Sequence, residues 1–237
     1  NTFAIGQTIA ISGSASNDRL ATITGVSMTT LTLSTNNALT TENGAIVTVV
    51  SNPKLIEWSN VDNIRGGSDV DIFQINHNIA GSIEALAGAD QITVVDGVSV
   101  SGRIDAGNGN DTITIGDNST GNAVSVGGLG VLGDGTLGGA TGDDTITILT
   151  PLTASIDAGA GNDAVVLGDA DAFVTGTVTG GAGNNTLTGR DAATLWEITA
   201  NNTGALTDVA TTNVIVSFSQ FQNLIGGTAV DTFRFSS

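Results

Sequence analysis

Aspartates recur in this chain at the ends of glycine-rich turns, and theirs is the pattern whose residue types and spacing could do chemistry. Gly66-Gly67-Ser68-Asp69-Val70-Asp71-Ile72-Phe73 is echoed by Gly226-Gly227-Thr228-Ala229-Val230-Asp231-Thr232-Phe233, and five related segments between them end on Asp90, Asp111, Asp144, Asp163 and Asn185. Six of the seven end positions carry Asp, although a turn alone accepts Asn or Ser there as readily. With these end positions as markers the intervals are 19, 21, 33, 19, 22 and 46 residues. Strands stacked at about 4.8 Å would bring the carboxylates into columns, and like charges at that spacing call for a counterion. Calcium suits such a column, because it is a hard cation that takes about six to eight oxygens, turn carbonyls among them. The candidate ligands are Asp69, Asp71, Asp90, Asp105, Asp111, Asp144, Asp157, Asp163 and Asp231. Of these, Asp105 and Asp157 hold one place in Ile104-Asp105-Ala106-Gly107 and Ile156-Asp157-Ala158-Gly159, where a second ligand row and a simple turn cap are equal readings. The plainer alternative for the whole set is Asx-turns facing water.

Other chemistries find little support. Cysteine is absent, which removes disulfides, thiolate catalysis and cysteine-bound zinc. His77 is the only histidine, so no triad or histidine metal cluster can be built. Arg65, Arg103, Arg190 and Arg234 fall at different places in the repeat frame, which argues against a polysaccharide lyase or hydrolase pairing carboxylates with an organised cation. No Lys-Ser or Lys-Thr follows a glycine-rich loop, as a phosphate cradle would need. A formal charge of −17 argues against nucleic acid and anionic membranes as partners, and no apolar run is long enough for a membrane helix.

The elements that must position these turns are strands. Thr, Val, Ile, Asn and Gly dominate, and short alternating runs such as Thr112-Ile113-Thr114-Ile115 and Thr145-Ile146-Thr147-Ile148 give the period of a half-buried strand. The predicted fold is all-β. Residues 1–52 read as a small β module, with strands at Thr8–Ser12, Thr29–Leu33 and Gly44–Val50, and Pro53 punctuates the run. Residues 53–237 read as a right-handed parallel β-solenoid of the β-roll or β-helix kind, with about 20 residues per coil. Each coil is expected to hold two strands of roughly five residues and two turns. The inward ladder is Ile92, Ile113, Ile146, Val165 and Leu187, with Phe73 and Phe233 in the end coils. The long intervals, around Gly121–Gly139 and from Leu195 to Val216, are expected to hold inserted or degenerate coils. Aromatics gather near the two ends of the repeat region, where caps, end-to-end contacts and core filling are competing uses.

The turns resemble the nonapeptide of RTX-type, haemolysin-like calcium-binding repeats, which form a parallel β-roll. Gly180 to Thr188 keeps all the glycines of that motif and has Asn185 for its aspartate, while Ala106–Thr114 and Ala158–Val166 replace only the first glycine. The likeness covers roughly residues 64–235. That family repeats every nine residues, whereas one copy appears here per coil, so the resemblance implies at most one row of calcium ions. Residues 1–52 are similar to short β modules of large bacterial surface and secreted proteins. Residues Trp58–Ile75 also match Phe218–Phe235 at a constant offset of 160. Together these features lead us to expect a secreted, non-enzymatic building block of a bacterial surface adhesin, layer or filament. It would be calcium-stabilised and would associate head to tail with itself or with neighbouring repeats of a longer chain. The alternatives are a calcium-dependent module binding surface glycans and, further off, a β-helix polysaccharide enzyme.

Overall fold

A computed structural model describes residues 8–12, 19–26, 31–34, 48–51, 62–128, 130–133 and 141–236. The polypeptide divides into two units, Asn1–Ser59 and Asn60–Ser237, and the boundary expected at 52/53 lies outside the described residues. Among the described residues every regular element is a strand and there is no helix.

The first unit holds a four-stranded antiparallel sheet in the order Leu31–Ser34, Arg19–Val26, Thr8–Ser12, Thr48–Ser51. Alternation of small or β-branched residues in Thr8-Ile9-Ala10-Ile11-Ser12 suits the central position, where Ile9 faces Ala21 on one side and Ser51 on the other. A bulge between Ile23 and Gly25 interrupts the longest strand.

The second unit is built on parallel pairing. Seven strands lie side by side in chain order: Ile72–Ile75, Gln91–Val94, Thr112–Ile115, Thr145–Ile148, Ala164–Leu167, Thr186–Thr188 and Asn223–Ile225. Their register aligns Phe73, Ile92, Ile113, Ile146, Val165, Leu187 and Leu224 in one row. The predicted ladder is therefore present, except that Leu224 holds the last place and Phe233 lies elsewhere. A ten-stranded sheet begins with six parallel strands, from Ile64–Arg65 through Ile83–Glu84, Ile104–Asp105, Val131–Leu132 and Ile156–Asp157 to Thr177–Thr179. A third array of Ser99–Val100, Val124–Val126 and Leu152–Thr153 is also parallel. Two strands per step were expected, and three of the steps have a third. Many of the strands are only two or three residues long, so a step of about 20 residues accommodates the extra one.

The long interval before Asp231 departs further from expectation. Instead of degenerate parallel strands it contains an antiparallel meander, in which Thr194–Ala200, Thr203–Asp208 and Val214–Ser219 continue the ten-stranded sheet. Ala200 faces Thr203 across the two-residue loop Asn201-Asn202, and Asn202 adopts a φ of 57°, which asparagine tolerates better than most residues. The sheet ends on Asp231–Phe235, parallel to Thr194–Ala200. Here Trp196 is fully buried, stacked on Phe233 at 5.2 Å and edge-on to Phe218 at 5.9 Å. Core filling is thus one use of the aromatics at this end.

Candidate functional site

Six of the seven marker turns lead from a strand of the ten-stranded sheet into a strand of the seven-stranded one, and that of Asp231 runs the other way. After Ile104–Asp105, the segment Ala106 to Asn110 turns the chain so that Thr112–Ile115 can start. Backbone crowding makes glycine necessary there. Gly109 sits at φ +127°, and an added Cβ would strike the Gly88 carbonyl; Gly183, at φ +130°, meets the Gly161 carbonyl in the same way.

Where the marker points follows from strand parity. Alternate residues share a face, so a marker two residues before a buried aliphatic must face inward as well. Asp111 precedes Ile113 and Ile115 in this way, and Asp90, Asp144 and Asp163 precede their own buried pairs. All four aspartates are 2 % exposed or less, and Asn185 is fully buried.

Inside, the side chains run from strand to strand as a ladder. The backbone N–H of Asp71 donates to Asp90 Oδ1 at 2.7 Å, that of Asp90 to Asp111 Oδ1 at 2.7 Å, and that of Asp111 to Asp144 Oδ1 at 2.8 Å. Asp144 then donates to Asp163 Oδ1 at 2.9 Å, Asp163 to Asn185 Oδ1 at 2.9 Å, and Asn185 to Gln222 Oε1 at 2.7 Å. From Asp90 to Asn185 each marker thus satisfies the amide of the marker before it, which the sheet ladders leave over. Burial pushes the Asp90 carboxyl above its ordinary value; the bond from the Asp71 N–H opposes this and the Asp71 carboxylate adds to it.

The remaining predicted residues are dispersed. Asp71, half-buried at the end of the column, accepts the Gly67 N–H on Oδ2 at 2.5 Å. Asp69 and Asp157 are exposed. Asp105 is buried beside Arg103, whose Nε donates to Asp105 Oδ2 and whose Nη2 donates to Glu84 Oε1, both at 2.9 Å. Asp231 stands outside the column and accepts the Thr194 hydroxyl; Gln222 takes the place expected for it.

Two features escaped the sequence reading. One residue before four of the markers, an exposed row runs in the opposite sense: Asp143 N–H donates to Asn110 Oδ1, Asn162 N–H to Asp143 Oδ1 and Asn184 N–H to Asn162 Oδ1, at 3.0, 2.7 and 3.1 Å. Elsewhere Asp96 and Asp117 each accept the other's backbone N–H, at 3.0 and 3.3 Å. Partial burial would raise Asp96, but N–H donors from Thr120, Asp117 and Gly121 outweigh it and hold the carboxyl below its ordinary range. The Ser119 hydroxyl does the same for Asp117. These two stay ionised where Asp90 is driven toward the neutral form.

The Oδ1 atoms of Asp90, Asp111, Asp144 and Asp163 each accept an amide hydrogen. No group of three or more His, Cys, Asp or Glu side chains placed to hold a metal occurs among the described residues. The column aspartates are thus partners of the main chain.

No family model, curated protein or solved structure matches this chain.

Proposed function

We propose that the chain is a non-enzymatic structural building block of a bacterial extracellular surface, an adhesin, layer or filament. Its second unit is read as a right-handed parallel solenoid of about 20 residues per coil, with RTX-like turns. The observation that carries this reading is an interior devoted to stacking, with open strand edges at both margins. Among the described residues Asp231–Phe235 and Asn223–Ile225 pair on one side only, as do Ile64–Arg65 and Ile72–Ile75 at the opposite margin. Those edges are apolar: Phe235 is 79 % and Ile72 69 % exposed, with Val230 and Val70 beside them in the turns. A free, flat, apolar strand edge is a template for another strand. Joining unlike edges of two copies is a heterologous contact that does not close, so the product is linear. The arginines support a non-catalytic role, since Arg65, Arg103, Arg190 and Arg234 are each engaged by a carboxylate, Arg65 and Arg103 both by Glu84.

The test is concentration-dependent light scattering with electron microscopy of the whole chain. Wild-type protein is expected to lengthen into linear assemblies, and Ile72→Lys and Phe235→Lys to remain monomeric. A wild-type chain that stays monomeric up to high concentration overturns the proposal.

Binding of a surface glycan is the second reading. It is favoured by a cleft of about 710 Å³ whose lining includes Phe221, Phe233 and Phe235 beside Asn201, Asn202 and Gln222, a mixture of apolar faces and amides suited to sugars.

A further inference from the structure

We propose that the buried aspartates of the column are neutral acids, each holding on Oδ2 a proton that it donates to a main-chain carbonyl, so that Asp here does the work of Asn. The column would then be a stack of proton sites where the resemblance to RTX repeats implied calcium.

Asn185 shows what a place in the column requires. Its Oδ1 accepts the Asp163 N–H, while its Nδ2 donates to the carbonyls of Gly181 and Gln220, both at 3.2 Å. The second arm of the side chain thus faces two acceptors and must itself be a donor.

The aspartates put an oxygen where Asn185 has its amide nitrogen. A Cβ added at Gly180 would crowd Asn185 Nδ2 and the Gln220 carbonyl together. Added at Gly133 it would strike Asp144 Oδ2 and the Ala158 carbonyl, and at Gly66 it would strike Asp71 Oδ2 and the Ala85 carbonyl. All three cradles have one composition, with the second arm of the marker on one side and a carbonyl from the following coil on the other. Two oxygens held in that relation repel unless a hydrogen lies between them. Asp71, at the exposed end, has the Gly67 N–H as a donor to Oδ2. Asp90 has no such donor: its Oδ2 is enclosed, with no hydrogen-bond partner among the described residues.

The surroundings offer little to hold negative charge instead. The carboxyl groups facing Asp90 along the column are those of Asp71 and Asp111. The guanidinium groups of Arg65, Arg103, Arg190 and Arg234 are engaged with Glu84, Asp105, Asp208 and Glu197. A calcium ion lies about 2.3–2.6 Å from each of its oxygens, so two oxygens opposed across it stand nearly 5 Å apart. At Asn185 the donor and each acceptor are 3.2 Å apart, the span of a hydrogen bond.

The linkage sign follows. Such an aspartate binds its proton more tightly in the folded chain than in the unfolded one, so its contribution is full below the ordinary carboxylate pKa and is lost as pH rises through the raised folded value. The burial-driven rise at Asp90 has this direction.

The experiment is thermal melting of the full chain, wild type and Asp90→Asn, at pH 5 and pH 8, with chelator and with millimolar calcium. It is paired with carbon-13 NMR of the Asp90 carboxyl in the wild type. Wild type is expected to melt several degrees higher at pH 5. Asp90→Asn, which supplies a permanent donor, should melt above wild type at pH 8 and lose part of the pH difference, with calcium changing neither result. The Asp90 carboxyl should show the shift of a neutral acid at pH 6. A carboxylate shift at pH 6 overturns the proposal. So does an Asp90→Asn chain that melts lower at pH 8, or a calcium-induced rise that Asp90→Asn abolishes. If the variant fails to fold, the wild-type carboxyl shift alone decides.

Discussion

Ile146→Ala should cost on the order of 3–4 kcal/mol of unfolding free energy, the largest loss expected from a single aliphatic truncation in this chain. Ile146 is fully buried, on the middle strand of the seven-stranded sheet, with Ile113 and Val165 directly beside it in register. Parallel ladders on both flanks hold the backbone in place, so the cavity cannot collapse and the lost contacts are not recovered. Thr145, one residue earlier, is exposed, and Thr145→Ala should change stability by less than about 0.5 kcal/mol. Urea unfolding of the two variants measures the contrast. A cost below about 1 kcal/mol for Ile146→Ala would mean that the row of aliphatics is not a packed core.

Asp208→Ala should destabilise by about 3 kcal/mol, although Asp208 lies outside the repeated turns. Its Oδ2 receives Arg190 Nη2, and its Oδ1 accepts the N–H groups of Ala210 and Thr211, both at 2.7 Å. Arg190 is only 6 % exposed, and its Nε has no hydrogen-bond partner among the described residues. Burial pulls the guanidinium below the usual arginine range, with the Asp171 carboxylate pulling the other way. Arginine nevertheless keeps its charge in proteins, so removing Asp208 strands a buried cation. Replacing both residues, as Arg190→Met with Asp208→Ala, should recover much of the loss, because the stranded charge then disappears. Thermal melts of the single and double variants test this. Equal destabilisation by the two would show that packing, not charge, is what Asp208 supplies.

How far these features were legible in the sequence depended on how local their signals are. The row from Ile92 to Leu187 could be read because period-two alternation is local and repeats at each marker. The same parity held the answer for the aspartates, since a residue two before an inward isoleucine also points inward. Attention to charge led instead to a counterion for the column, and the burial of its side chains went unread. Asn185, the one copy without Asp, was the clearest signal available, for it shows that the position accepts a neutral side chain. Gln222 could not be read, because no turn motif surrounds it and it joins the column only through the strand pairing of Asn223–Ile225 with Thr186–Thr188. Asp231 misled for the converse reason: it has the motif, yet the meander before it carries its strand to the other sheet. The third parallel array was hidden by its brevity, two or three residues being too few to show a period.

The account's central claim is that the repeated turns serve the interior, the marker side chains from Asp90 to Asn185 each capturing a main-chain amide of the neighbouring marker. Amide hydrogen exchange followed by NMR tests it most directly. The N–H groups of Asp90, Asp111, Asp144 and Asp163 should exchange only through the largest opening of the second unit, as slowly as those of Ile113 and Ile146 in the strands beside them. Exchange of those four amides at the rate of exposed turn residues, such as Asn118 and Ser119, would contradict the ladder and with it the structural role assigned to the aspartates.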